Sequence, residues 1–219
     1  RCIIPYINEG LRMVAEGIAP ALVEHAARML GFPVGPLQLT DETSLELGLA
    51  ISRATRAAMG NAYPASPADE LLETMVEAHD RKGRKNKAGM YAYDDNGKRI
   101  GLWPGLADHF PPRDEQPALD EVQNRLMMIQ ALEAVHALEE GVLTDVREGD
   151  VGAILGWGFA PWSGGPFAWL DRLGGHKALA LAEALAAAHG ERFTPPQTLR
   201  DHAANGGQFH PEPTSAAAA

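Results

Sequence analysis

The sequence predicts an all-α protein of two tandem, homologous helical units with one short β-hairpin. Three observations carry this. First, one pattern occurs twice: Arg1, Glu9, Glu16-Gly17, Gly31-Phe32, Gly35-Pro36 and Asp41 return in order as Arg125, Glu133, Glu140-Gly141, Gly158-Phe159, Gly165-Pro166 and Asp171. The Arg-to-Glu, Glu-to-Gly and Pro-to-Asp intervals match, and the extra residues fall where loops absorb them. Such a repeat decides architecture before any local reading. Second, apolar residues recur at helical spacing along almost the whole chain. Third, only residues 87 to 100 break that period, with Tyr91 and Tyr93 alternating with small residues before Asp95-Asn96-Gly97.

Taken in order, Ile3, Ile4, Ile7, Leu11 and Val14 share a helix face, and Gly17 ends that helix because it tolerates a left-handed backbone. A second helix opens at Pro20, a good first-turn residue, and closes at Gly31 with Leu22, Val23, Ala26, Met29 and Leu30 inward. Phe32-Pro33-Val34-Gly35-Pro36 is too rich in breakers for a helix and reads as a tight loop. Thr40 and Asp41 are then expected to cap a helix running to Gly60. Ser66-Pro67-Ala68-Asp69 has the form of a capping signal, followed by Leu71, Leu72, Met75 and Val76 on an inward face. Asp95-Asn96-Gly97 supplies the turn of the hairpin.

Residues 104–117, with Pro104, Pro111, Pro112 and Pro117, form the expected linker between a first domain at 1–103 and a second at 118–219. Leu119, Val122, Leu126, Ile129, Leu132 and Val135 mark a helix ending at Gly141, about 30 Å long if continuous. A short helix at Asp150–Leu155, a loop from Trp157, a helix over His176–Ala188 and a turn near Leu199 complete the second unit. The closing Thr214-Ser215 and four alanines are expected to fray.

The 219 residues are 45% hydrophobic and 22% charged, as in an ordinary globular protein. A net charge of -10 argues against a general nucleic-acid or anionic-membrane binder. One cysteine, Cys2, permits no internal disulfide, which suits a reducing, cytoplasmic compartment. No apolar run approaches a membrane span or a signal peptide. A first residue of Arg, with apolar periodicity starting at once, leads us to expect the back half of something longer.

The eight histidines are scattered without zinc spacing, so no metal site is expected. His136 lies by the apolar seam of the long helix and reads as a packed imidazole. Glu9 and Glu133 occupy equivalent places in the two copies. Either could be a general base, but repetition favours a cap or ion pair, since a framework element is easier to duplicate than an active site. Gly152 to Gly165 lacks the ending of a phosphate loop and reads as a packed aromatic turn. Arg81, Lys82, Arg84, Lys85 and Lys87 form a basic cluster, by default a solvated loop, that could attract a phosphorylated ligand. No nucleophile-and-base constellation emerges, and no catalytic, metal or cofactor-binding residue is expected in the chain.

Arg1-Cys2-Ile3-Ile4-Pro5-Tyr6-Ile7-Asn8-Glu9, with Gly31-Phe32-Pro33-Val34-Gly35-Pro36 and Gly83-Arg84-Lys85-Asn86-Lys87-Ala88-Gly89-Met90-Tyr91, resembles the C-terminal helical domain of 3-hydroxyacyl-CoA dehydrogenases. The doubled unit, with Gly156-Trp157-Gly158-Phe159, Gly164-Gly165-Pro166 and Gly190-Glu191-Arg192-Phe193-Thr194-Pro195-Pro196, is similar to multifunctional fatty-acid oxidation proteins that join this dehydrogenase to an enoyl-CoA hydratase. Three departures stand out. The family's helix opens with Asn-Arg, whereas this chain begins at the Arg and keeps Asn124-Arg125 only in the second copy. Ser44 replaces the usual Gly, and Lys87-Ala88-Gly89 replaces Gly-Lys-Gly.

The resemblance implies oxidation of (S)-3-hydroxyacyl-CoA to 3-ketoacyl-CoA in fatty-acid β-oxidation. NAD would be bound by an upstream nucleotide-binding domain that also carries the catalytic His-Glu pair, leaving this chain inert when isolated. Pro33, Val34 and Leu37 are the expected substrate-binding residues, bordering an apolar wall for the acyl chain, with simple core packing as the competing reading. Implied partners are the acyl-CoA, the upstream domain, a thiolase subunit and further copies in an oligomer. A helical domain of another hydroxy-acid dehydrogenase, and a helical scaffold with no enzymatic parent, remain as alternatives.

Overall fold

A computed structural model of the chain describes residues 1–210; the closing Thr214-Ser215 and alanines lie outside the described residues. Among these there are eleven α-helices and a single two-stranded antiparallel sheet. The chain divides into two compact bodies, Ile4–Leu126 and Met127 onwards together with Arg1–Ile3.

In the first body, α1 (Ile3–Ala15) places Pro5 within its opening turn, where no intrahelical donor is lost. It buries Tyr6, Glu9, Gly10, Leu11, Met13 and Val14, whereas Ile4 is 44% exposed, so the apolar face is rotated from the expected one. Helix α2 (Pro20–Met29) has Pro at its start. Val23, Ala26 and Leu30 point inward as expected, but Met29 is 57% exposed. Helix α3 (Pro36–Thr43) packs beneath α1, where a Cβ on Gly10 would lie 2.3 Å from Pro36 Cβ. Only glycine admits that approach.

Thr40 and Asp41 therefore do not cap the following helix; both lie inside α3. The helix starts early because Pro36 initiates it, and the break comes at Ser44, whose φ of 83° no helix accommodates. Helix α4 (Leu45–Met59) follows, then a 3₁₀ turn at Gly60–Ala62 and α5 (Pro67–Glu73). Ser66 and Asp69 form the expected capping box. Leu71, Leu72 and Met75 are buried, while Val76, in the π turn that continues α5, is only partly so.

The hairpin pairs β1 (Tyr91–Tyr93) with β2 (Arg99–Leu102), matching Tyr91 to Leu102 and Tyr93 to Arg99 across a bulge. Residues 104–117 contain a one-turn helix, α6 (Gly105–His109), and are tied down beyond it. Arg113 and Gln116 donate to the Gly17 carbonyl at 2.9 and 3.1 Å, and Gln116 accepts from Ala19 N–H at 2.8 Å.

Helix α7 (Leu119–Glu139) is continuous, and every residue from Arg125 to Leu132 is buried. A helix enclosed all round belongs to a core rather than a surface. His136 is not packed into it: its side chain is 41% exposed, facing Glu139 at 3.8 Å near the helix end. In the second body, α8 (Val146–Gly152) continues as a π turn, and α9 (Pro166–Leu173) and α10 (Gly175–His189) follow. After a 3₁₀ turn at Glu191–Phe193, the stretch expected as one turn near Leu199 is a full helix, α11 (Gln197–Asn205). In the aromatic turn Phe159 is buried and Trp157 donates to Gln130 at 3.1 Å, but Trp162 is 52% exposed.

The element order of α1 to α5 repeats as α7 to α11, including the 3₁₀ turn before the last helix. The helix order is thus repeated well beyond Asp41 and Asp171, where the sequence pattern fades.

Candidate functional site

Two chemically equivalent carboxylate networks organise the chain. In the first body Glu24, on α2, accepts the backbone N–H groups of Leu37 and Gln38 at 2.7 and 3.2 Å. These are unpaired donors of the first turn of α3, so a side chain from another helix satisfies the start that Gly35 and Pro36 cannot cap. The fit requires Gly35, since a Cβ there would lie 2.5 Å from the Glu24 carboxyl group. Asp41, one turn on, collects Met90 N–H at 2.6 Å, Tyr91 N–H at 3.0 Å and the Tyr93 hydroxyl at 2.8 Å. Tyr91 closes the circuit by donating its hydroxyl to Glu24 at 2.6 Å.

The second body repeats this with altered residues. Asp150, on α8, accepts from Phe167 and Ala168 N–H at 2.8 and 3.1 Å, capping α9. Asp171 accepts from Phe209 and His210 N–H at 2.8 and 2.9 Å. His210 Nε2 then meets Asp150 at 2.7 Å. Glu24, Asp41 and Tyr91 thus correspond to Asp150, Asp171 and His210.

Burial pushes the Asp41 carboxyl up to about 6, against the pull of hydrogen bonds from Tyr93, Tyr91 and Met90 and the Arg81 charge. Burial likewise raises Asp150, opposed chiefly by His210. The Tyr91 and Tyr93 hydroxyls rise above the ordinary phenol range, first through burial and then through their carboxylate neighbours. Arg81 braces the segment by donating to the Gly89 and Tyr91 carbonyls at 2.7 and 2.8 Å, its guanidinium 4.2 Å from the Trp103 ring centre. Carboxylates so occupied tie elements together and have little capacity left to act as bases.

Glu9 and Glu133 resolve as ion-pair partners. Arg125 Nε donates to Glu9 at 2.6 Å and Nη2 to Glu16 at 2.8 Å, with Arg125 and Glu9 both buried. Arg1 pairs with Glu133 and donates to Glu140 at 2.5 and 2.7 Å. The arginine of each copy therefore serves the glutamates of the other.

Of the expected substrate-binding residues, Leu37 is wholly buried and forms part of the core. Pro33 is exposed and Val34 half-buried, its carbonyl accepting from the Tyr6 hydroxyl at 2.9 Å. The loop thus brings Pro33 and Val34 to the surface and not Leu37. Sequence reasoning missed Glu24, Tyr91, Asp150 and His210 as network members; the order acid, Gly-Pro, acid in both copies was the available signal.

Among the described residues, no cluster of three or more His, Cys, Asp or Glu could hold a metal ion, and no helix is long and apolar enough to cross a membrane. Among the described residues the sheet is an antiparallel hairpin, unlike the parallel strands and glycine-rich turn of the dinucleotide-binding fold.

Residues 1–93 match the family model for the 3-hydroxyacyl-CoA dehydrogenase C-terminal domain. Among solved structures the chain is similar to 3-hydroxybutyryl-CoA dehydrogenase from Escherichia coli, with a TM-score of 0.66 and 21% identity over 93% of this chain and 58% of that one. It is also similar to the dehydrogenase part of multifunctional enzyme 1 from C. elegans, with a TM-score of 0.65 and 19% identity over 90% of this chain and 45% of that one. The chain therefore spans about half the length of these structures.

Proposed function

We propose that the chain, whose residues 1–93 match the model of the 3-hydroxyacyl-CoA dehydrogenase C-terminal domain, is the duplicated helical region of an NAD-dependent (S)-3-hydroxyacyl-CoA dehydrogenase. The observation that carries this is the likeness of Glu24–Asp41–Tyr91 to Asp150–Asp171–His210, which supports reading the second half as a divergent copy of the matched domain. We place the join between the copies in residues 104–117. A doubled region of this kind suits a multifunctional enzyme of fatty-acid β-oxidation that also carries enoyl-CoA hydratase activity.

In this reading an upstream domain binds NAD and supplies the catalytic groups. Positioning the substrate carbon against the hydride acceptor is a large part of such a rate, and the helical region provides the wall that does it. Pro33 and Val34 present that wall at the α2–α3 loop, with Leu37 supporting it from the core. The test is NADH formation from 3-hydroxyacyl-CoA. The natural full-length protein turns over and the 219-residue chain alone does not. Turnover by the isolated chain, or none by the intact protein, removes the assignment.

A further inference from the structure

The hairpin and the loop before it enclose an open cavity of about 310 Å³, lined by Glu42, Arg84, Tyr93, Gly97, Lys98 and Arg99. Most cations of this region are already committed. Lys82 pairs with Asp80, Arg84 with Glu42 at 2.9 Å and Lys85 with Glu46, while Lys87 donates to the Asp95 carbonyl. Lys98 and Arg99 differ: among the described residues neither side chain forms a salt bridge or donates a hydrogen bond, and Arg99 rests 5.1 Å from the Tyr91 ring centre.

Both uncommitted cations face one concave site, and the turn fixes where they start from. Asp94 accepts from the N–H groups of Asn96 and Lys98 at 2.9 Å each, and its own N–H donates to the Lys98 carbonyl at 2.9 Å. In a chain of net charge -10, two adjacent cations without acid partners form a local positive field against the overall sign. The solvated-loop reading suits Lys82, Lys85 and Lys87 but leaves this pair unexplained.

We propose that this cavity binds a phosphate dianion, free or as a monoester. An arginine fork and a lysine point charge together match the charge and oxygen geometry of such a group. Arg84, held at the rim by Glu42, is a third donor that an incoming dianion can share. The same chemistry comes from free phosphate or from the 3′-phosphate of coenzyme A. Only the coenzyme source rests on the proposed dehydrogenase function.

The experiment is calorimetric titration of the 219-residue chain at low salt with inorganic phosphate, coenzyme A and 3′-dephospho-coenzyme A. Saturable binding is expected, weakened about tenfold by Lys98→Gln or Arg99→Gln, each removing roughly one charge-assisted contact. Glu42→Gln is expected to act in the opposite direction by releasing Arg84. Coenzyme A binding more tightly than its dephospho form assigns the nucleotide source; inorganic phosphate binding with no such difference assigns the free ion. No saturable binding by any of the three, or binding indifferent to Lys98→Gln and Arg99→Gln in variants with unchanged circular dichroism, overturns the site. That result leaves the dehydrogenase reading intact, since NADH formation by the full-length protein tests it separately.

Discussion

Arg125 and Glu9 form an ion pair at 2.6 Å with both side chains sealed from solvent. Its two members lie at different levels of the duplication, since Arg125 is the counterpart of Arg1 and Glu9 that of Glu133. An interior ion pair offsets desolvation only while both partners are present.

Removing one partner should therefore be severe. Arg125→Met is expected to destabilise the protein by about 3–5 kcal/mol, because Glu9 is left charged in the core. Combining it with Glu9→Leu should recover a large part of that loss. Urea denaturation of the two singles and the double checks this, and additive losses would show that the pair is not coupled.

Asp41 should make stability depend on pH in an unusual sense for a carboxylate. Its folded value is about 6 against 3.8 for the free group, so the folded state holds a proton that the unfolded state has released between those limits. Stability from this residue is present below about pH 4 and is lost as pH rises through about 6, on the order of 3 kcal/mol in total. Carboxyl-carbon NMR should find a titration near 6 that disappears in Asp41→Asn. A titration midpoint near 4 would show that the donated hydrogen bonds fully offset burial.

Ser44 combines a φ of 83° with a buried hydroxyl oxygen that has no hydrogen-bond partner among the described residues. Ser44→Gly relieves both and is expected to stabilise by about 1 kcal/mol after glycine's greater unfolded-state freedom is deducted. Thermal unfolding reads the result, and a lower midpoint would refute the strain.

On the proposed function, Val34→Asp in the full-length protein should raise KM for long-chain substrate more than for short-chain substrate, since a charge at the loop surface would disrupt the proposed apolar wall. Equal kinetics with both, in a folded protein, would remove Pro33 and Val34 from the substrate path.

The fold was legible where its causes are local. Gly17, Gly31, Pro20 and Pro36 punctuate helices by their own backbone chemistry, and the alternation at Tyr91 and Tyr93 marks the hairpin. Asp41 was misread as a cap because the real cap of its helix, Glu24, comes from another helix, and nothing near Pro36 announces it. The faces of α1 and α2 were misjudged at Ile4 and Met29, where composition names an apolar residue but not what covers it. The second network was hidden by its substitutions, with Asp150 for Glu24 and His210 for Tyr91, and by the longer loop before Gly165. The order acid, Gly-Pro, acid hints at that equivalence, and the hydrogen-bond geometry exposes it in full.

The crossed arginines also decide how this chain can be taken apart. A protease cut within residues 104–117 would give two pieces, each holding acids that pair with the other's guanidinium. The cut would part Glu9 and Glu16 from Arg125, and Glu133 and Glu140 from Arg1, so each half should assist the folding of the other. Mixed together, they should reassemble as split-protein complements rather than persist as two autonomous modules.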